Sequence, residues 1–272
     1  MTVKDEQKRH YNLFYGKPGR LSWGSPSGSY ENYRYAVWIM KLFERILREK
    51  GTRLSVLDLG CGDGKKILLL GQKYLKGEGR LFGIDISATA VRKAGEMNEL
   101  LNREVKGFAV GESEGLPVRE NSLDAVLCVE LLEHTASPER ALSEIHRILA
   151  PGGFAIIGTP NKSYIFERLG ALLPGPIQAK LKQRRPKAEA ELEEWTHMHP
   201  SEMGWGELKG VLRRTGFKIE TARGTNWISQ KQWLDDSPFL FGMSVIGDSL
   251  LNLFRLWPDF QWGVILLARA VK

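Results

Sequence analysis

The sequence is poor in cysteine and contains no long apolar run. Cys61 and Cys128 are the only cysteines among 272 residues, so we expect no disulfide framework and a reducing, cytoplasmic setting. The first ten residues are rich in charged side chains, whereas a signal peptide needs an apolar stretch near its start. The uncharged apolar stretch at 237–247 is far shorter than the ~20 residues that span a bilayer. We therefore expect no transmembrane segment.

The excess of positive charge is also small. Lys and Arg number 39 against 32 Asp and Glu, a net charge of +7. Residues 1–50 hold ten basic and five acidic residues, and the rest is nearly balanced. A uniformly basic binding face is therefore not indicated, although an N-terminal basic patch could steer an anionic partner such as RNA. Hydrophobic residues at 42% and charged residues at 26% exclude a disordered or collagen-like chain.

From residue 54 onward, short apolar runs alternate with amphipathic stretches. This alternation predicts an α/β fold, in which helices cover both faces of a mostly parallel sheet. The predicted strands are 54–59, 80–85, 105–110, 123–129, 154–159, 217–222 and 263–271. The predicted helices are 33–50, 65–76, 88–102, 138–149 and 207–215.

Two parts of the chain are expected. Residues 1–50 form an arm without regular structure over 1–29, followed by a helix, and together they cover the site. Residues 51–272 form the ligand-binding domain, in which 161–204 is a lid or insertion because it is long for a simple connection. The apolar segment 239–257 is expected to pack on the sheet edge, with dimerisation or contact with a lipid surface as alternatives.

A glycine-rich turn directly follows the first predicted strand. Gly60, Gly62 and Gly64 are spaced by two, which lets the backbone approach a ligand where a Cβ would collide. Asp85 closes the next strand, 27 residues after Asp58. A carboxylate at that place accepts hydrogen bonds from ribose hydroxyls. Together these features predict a nucleoside site.

Two nucleoside classes fit such a turn. A dinucleotide needs a third glycine where Lys65 stands, and Asp63 places negative charge where a pyrophosphate would lie. A ligand with a positive centre and no phosphate fits better, and S-adenosylmethionine is such a ligand. A dinucleotide-dependent oxidoreductase is the disfavoured alternative.

Four segments carry a family resemblance. The motifs are VLDLGCGDG at 56–64, FGIDIS at 82–87, GESEGLPVRENSLDAV at 111–126 and LLEHTASPERALSEIHRILAPGGFAIIGTPN at 131–161. In this order they resemble class I S-adenosylmethionine-dependent methyltransferases, in particular the ubiquinone- and menaquinone-biosynthesis-like group, also called methyltransferase type 11. The resemblance implies a Rossmann-like seven-stranded sheet and S-adenosylmethionine as cofactor. It also implies methyl transfer to oxygen or carbon of a small-molecule or lipid-like acceptor.

The resemblance also implies which residues bind the cofactor. Asp58 and the turn Gly60-Cys61-Gly62 match the part that holds the methionine moiety, and Asp85 matches the part that binds the ribose. The remaining matches are Ile86 beside the ribose, Glu112 and Ser113 at the adenine edge, and Cys128 near the methionine portion. For Cys128, a buried small hydrophobic residue is the favoured alternative.

Glu130, Glu133 and His134 follow the fourth predicted strand. Carboxylates and an imidazole can hold a divalent cation such as magnesium. The arrangement resembles the cation sites of quinone-ring O-methyltransferases and of small-RNA ribose 2′-O-methyltransferases, and a further histidine, His197 or His199, would complete the latter. The alternative is a site without metal, in which His134 faces the substrate and acts as a base. An RNA ribose methyltransferase and a non-catalytic cofactor-binding module stay open as alternative functions.

Overall fold

The computed structural model describes most of the chain. The described residues are 26–101, 104–162, 199–225 and 263–272, with 26–32 as backbone only, together with 5, 8, 9, 11–13, 237, 239, 242, 243, 245–247 and 250.

Helices and strands alternate along the described chain. The helices are α1 (Pro26–Lys50), α2 (Lys65–Leu70, followed by a π-helical turn over Gly71–Leu75), α3 (Ala88–Leu100), α4 (Pro138–Ile148) and α5 (Trp205–Arg214). The strands are β1 (Ser55–Leu59), β2 (Arg80–Asp85), β3 (Gly107–Val110), β4 (Leu123–Val129), β5 (Leu149–Pro160), β6 (Phe217–Gly224) and β7 (Gly263–Ala270). A 3₁₀ turn covers Leu132–His134.

The strands form one seven-stranded sheet in the order β3-β2-β1-β4-β5-β7-β6. The pairs from β3 to β5 are parallel, and β7 is antiparallel to both β5 and β6. The predicted Rossmann-like, mostly parallel α/β fold is therefore confirmed. Because consecutive parallel strands run the same way, their carboxyl ends meet at one edge of the sheet.

Apolar layers cover both faces of the sheet. On one face α4 and α5 contribute residues such as Leu142 and Leu212, and on the other α1 and α2 contribute Phe43 and Ile67. Neighbouring residues of β5 point into opposite layers. Ala155 and Ile157 pack in the layer with α4 and α5, whereas Phe154 and Ile156 pack in the layer with α1 and α2. Burial on both faces explains the continuous apolar runs of the sequence.

The structure departs from the prediction at the N-terminus. Helix α1 begins at Pro26, seven residues before the predicted start, and residues 11–13 are also helical. The glycine- and serine-rich composition of 1–29 wrongly predicted an arm without regular structure in these places. Proline suits the first turn of a helix because its missing N–H is not needed there.

Parts of two predicted segments lie outside the described residues. Residues 163–198 of the expected lid are among them, so the lid stays a prediction. In the apolar segment 239–257, four described residues are helical and have exposed side chains: Phe239, Met243, Ile246 and Leu250. The expected packing on the sheet edge is wrong for these four. None of the described helices is both long and apolar enough to cross a membrane.

Candidate functional site

The candidate site lies at the carboxyl edge of the sheet, where β1 and β4 are neighbours. The chain leaves these two strands in opposite directions along the sheet, to β2 on one side and to β5 on the other. Such a switch point opens a crevice that binds ligands in α/β proteins. The predicted site residues lie at or just after the carboxyl ends of β1 to β4, so the topology brings them to this one edge.

The glycine turn has the backbone that its sequence predicts. Gly60 and Gly62 have φ of 72° and 54°, in the left-handed region that disfavours other residues. The backbone N–H groups of Gly60 and Cys61 both donate to the carbonyl of Ile84, at 2.8 and 3.1 Å. The turn is thereby fastened to β2. The Cys61 side chain is only 2% exposed, and burial raises the pKa of its thiol, so this residue contributes backbone rather than a reactive sulfur.

Asp85 holds the turn and the start of α3 together. Its Oδ2 accepts a hydrogen bond from the N–H of Gly62 and its Oδ1 accepts one from the N–H of Ser87, both at 2.9 Å. Each carboxylate oxygen has further acceptor capacity, so both can also accept from ribose hydroxyls. The Ser87 hydroxyl caps α3 by accepting a hydrogen bond from the N–H of Ala90. Ile86, between them, is half-buried.

Asp58 is the least satisfied polar group of the site. It is 0% exposed, and neither carboxylate oxygen has a hydrogen-bond partner within the described part of the chain. Burial raises the pKa of Asp58 to about 7, with Lys66 opposing this shift and Asp85 adding to it. A buried carboxyl without partners is costly unless a ligand supplies them. The turn therefore fits a ligand with a positively charged group.

The other predicted cofactor residues lie at the same edge but differ in exposure. Glu112 and Ser113 follow β3, where Glu112 is exposed and Ser113 half-buried. Cys128 is fully buried within the apolar layer that includes Leu142, and burial raises the pKa of its thiol. The position of Cys128 supports the alternative of a small core residue, so any contribution to the cofactor comes from its backbone.

A carboxyl and two imidazoles meet beside the turn. Donor atoms of Glu133, His134 and His199 all lie within 4.8 Å of one another, and the His134 Nε2 is 3.8 Å from the Glu133 Oε1. The Glu133 Oε2 accepts a hydrogen bond from Thr159 at 2.9 Å. The Glu133 Oε1 is buried without a hydrogen-bond partner among the described residues. These donors could hold a cation, and His197 lies outside the described residues.

Glu130 is not part of that group of three. Its φ is 57°, and its carboxyl accepts a hydrogen bond from Tyr35. Burial raises the pKa of Glu133, and the neighbouring Glu130, whose own side chain is exposed, raises it further. The structure thus brings two of the three predicted metal ligands together with His199, and places Glu130 beside them as an electrostatic neighbour.

The N-terminal residues contact this edge directly. The Asn12 Oδ1 accepts hydrogen bonds from the Ser87 hydroxyl at 2.8 Å and from the Thr89 N–H at 3.2 Å. The ring of Tyr11 meets His134 edge-on, with 5.6 Å between ring centroids. These contacts support the expectation that residues 1–50 cover the site.

Sequence reasoning missed one charged residue. The Lys66 Nζ donates to the Gly60 carbonyl at 3.4 Å, whereas Lys65 pairs with Asp63 at 2.6 Å. No sequence signal separates two adjacent lysines at the start of a helix. Asn161, which directly follows β5, is buried, and its Oδ1 accepts a hydrogen bond from the N–H of Trp205 at the start of α5.

Comparison with known families and proteins adds to this geometry. Residues 57–157 match the model of a family described as a methyltransferase domain. The ubiquinone biosynthesis O-methyltransferase of Alkalilimnicola ehrlichii is 34% identical over 153 residues, which are 52% of this chain. The chain spans only 57% of the length of that relative.

Solved structures share the fold at low identity. The magnesium protoporphyrin IX methyltransferase of Synechocystis PCC 6803, with bound S-adenosylmethionine, has a TM-score of 0.59 and 14% identity, covering 99% of this chain and 98% of its own. A cyclase, SpnF, has a TM-score of 0.61 and 17% identity, covering 99% of this chain and 96% of its own. The fold therefore accommodates more than one chemistry, and function has to be argued from the site.

Proposed function

We propose that the chain is a class I S-adenosylmethionine-dependent methyltransferase of the ubiquinone-biosynthesis-like group, to whose members it is similar, and that it methylates a small-molecule or lipid-like acceptor on oxygen or carbon. The observation that carries this proposal is the buried Asp58 carboxyl, which has no partner among the described residues and lies at the foot of a glycine turn. A cationic nucleoside supplies what this carboxyl lacks.

The residues of the turn fit the cofactor. Asp58 and the backbone of 60–62 would hold its methionine end, and Asp85 would accept from its ribose hydroxyls. Glu112 and Ser113 are proposed at the adenine edge. When bound, the cofactor supplies a methyl group on a positively charged sulfur. The protein then contributes mainly alignment and exclusion of water, which the covering residues Tyr11 and Asn12 support.

His134 is proposed as the group that activates an acceptor hydroxyl. Its Nε2 lies 3.8 Å from the Oε1 of the buried Glu133, and an ionised carboxylate at this distance stabilises a protonated imidazole electrostatically. A hydroxyl approaching His134 could then lose its proton as its oxygen attacks. A carbon acceptor needs no such base, so this role favours oxygen.

The function is tested by ligand-dependent melting and by labelled methyl transfer. S-adenosylmethionine and its demethylated product, S-adenosylhomocysteine, are expected to raise the melting temperature in a concentration-dependent way, whereas NAD and NADP leave it unchanged. Tritiated methyl from the cofactor is expected to enter the small-molecule or lipid fraction of a cell extract. Stabilisation by NAD alone would support the oxidoreductase, and binding without any transfer would support the non-catalytic module.

We also propose that a cation binds beside the turn. Glu133, His134 and His199 offer one carboxylate and two imidazole nitrogens whose donor atoms lie within 4.8 Å of one another. The orphaned Glu133 Oε1 fits a metal ligand. With His199 included, the donor set suits zinc or manganese better than the magnesium expected from the carboxylates alone. A bound cation would lower the pKa of an acceptor hydroxyl.

Calorimetric titration of the whole chain with Mn²⁺ or Zn²⁺ tests this site. We expect one ion per chain, and we expect His199→Ala to weaken binding at least tenfold because it removes a third of the donor set. His146→Ala is the matched control, because that ring packs edge-on against Phe217 at 5.3 Å. Equal affinities for His199→Ala and the wild type would contradict the site.

Cytoplasmic location and the covering role of 1–50 and 161–204 remain proposals. The two cysteines are free and buried, which supports a reducing compartment. A basic run at 180–187 holds five lysines and arginines that could contact RNA, but it lies outside the described residues. Binding to RNA that weakens steeply with salt would favour the RNA ribose methyltransferase.

A further inference from the structure

Lys66 places a positive charge inside a site otherwise built from acids. It is the second residue of α2, and its side chain turns back over the glycine turn so that the Nζ lies 3.4 Å from the Gly60 carbonyl oxygen. Its neighbour Lys65 instead pairs with Asp63. Two lysines with the same chemistry and adjacent positions therefore have different environments.

Three carboxyls interact electrostatically with the Lys66 ammonium. Its charge lowers the pKa of Asp58, Asp85 and Glu130, against the larger, opposite effect of desolvation by the surrounding protein on each. Within the described part of the chain, no other cation acts on these three carboxyls. Lys66 is thus the shared positive charge of the pocket.

The Lys66 ammonium keeps unused hydrogen-bonding capacity. An ammonium group has three donors, and the one described acceptor within hydrogen-bond distance is the Gly60 carbonyl. Neither oxygen of Asp58 accepts a hydrogen bond from it, although the two groups interact electrostatically. Within the described residues, at least one donor is therefore left for an anionic group of a ligand at the turn.

The charged groups of the cofactor can be matched to the acids of the pocket and to Lys66. Its amino-acid end carries an ammonium and a carboxylate, and its sulfur is positive. The acids of the pocket complement the two positive groups, but they repel the carboxylate. We propose that Lys66 binds the carboxylate of the cofactor's amino-acid end and so makes the site selective for nucleosides that carry one. This assignment rests on the proposed function.

Binding of three nucleosides distinguishes a contact between Lys66 and the cofactor carboxylate from a general effect of Lys66 on the shape or charge of the pocket. S-adenosylmethionine and S-adenosylhomocysteine carry the amino-acid end, whereas 5′-methylthioadenosine keeps the adenosine and the sulfur but lacks it. Their dissociation constants are measured by calorimetric titration on the full chain. The proteins are the wild type, Lys66→Met, Lys66→Arg and the matched control Lys65→Met.

We expect Lys66→Met to weaken the binding of S-adenosylhomocysteine ten- to hundredfold, because a charge-assisted pair with the carboxylate is lost. The affinity for 5′-methylthioadenosine should stay within about twofold of the wild type, since that ligand has no carboxylate. Lys66→Arg should keep most of the affinity for S-adenosylhomocysteine, and Lys65→Met should bind both nucleosides as the wild type does. Thermal melting without ligand verifies that each variant folds, and Lys66→Gln replaces Lys66→Met if the latter does not.

Two results would overturn the assignment. One is S-adenosylhomocysteine binding by Lys66→Met that is as tight as in the wild type or tighter. The other is an equal loss for both nucleosides. A wild-type protein that binds none of the three nucleosides would instead overturn the proposed function, and the assignment with it.

Discussion

Replacing His134 with alanine is expected to lower the turnover number of methyl transfer to an oxygen acceptor by a factor on the order of 10² to 10⁴, the usual contribution of a positioned acid or base. His134 meets Glu133, Tyr11 and His199 at the edge of the crevice, but it is not among the residues that hold the glycine turn. The affinity for S-adenosylhomocysteine should therefore stay unchanged. Initial rates of tritium transfer and a calorimetric titration on the same preparation measure both quantities.

The control for this prediction is another histidine of the same chain. His146 lies on α4, where its Nε2 is 3.1 Å from the carbonyl of Val271, away from the glycine turn. His146→Ala should leave the transfer rate close to that of the wild type. Full activity in the double variant Glu133→Gln with His134→Ala would rule out both the base and the cation at this place.

Asp85→Ala is expected to weaken cofactor binding by about 1–3 kcal/mol, or roughly five- to 150-fold. The change removes the proposed acceptor for the ribose hydroxyls. It also removes the oxygen that fixes the N–H of Gly62 at 2.9 Å, so the turn loses part of its support. Calorimetric titration with S-adenosylhomocysteine measures the effect.

Asp124 provides the matched control for Asp85. Its Oδ2 also accepts a hydrogen bond from a backbone N–H, that of Ser55 at 2.9 Å, but at the opposite, amino-terminal edge of the sheet. Asp124→Ala should therefore cost some stability and leave the affinity for the nucleoside unchanged. An Asp85→Ala variant with wild-type affinity would refute the ribose assignment.

Most of the fold was predictable because strands that are buried on both faces form continuous apolar runs in the sequence. Strands β2 and β4 have the predicted bounds, since both are apolar on two faces and end at turns. Strand β5 begins at Leu149, five residues before the predicted start, because pairing with β4 extends it through Pro151 and two glycines. The strand order could not be predicted from local sequence patterns, because it depends on which strands pair with each other.

The site was predictable where one residue type is required by the backbone. The positive φ of Gly60 and Gly62 was predictable from their spacing, because a left-handed turn tolerates few residues other than glycine, and Asp85 lies beside that turn as expected. Side chains that reach the site from elsewhere left no comparable signal. Asn12 arrives from the N-terminal residues and Lys66 folds back over the turn, and only the three-dimensional structure places them there.

The most direct test of the account is a crystal structure of the protein with S-adenosylhomocysteine. The nucleoside should lie across residues 60–64, with its ribose hydroxyls on the Asp85 carboxylate and its amino-acid end between Asp58 and Lys66. A nucleoside bound at any other place, with protein side chains filling this crevice, would contradict the account.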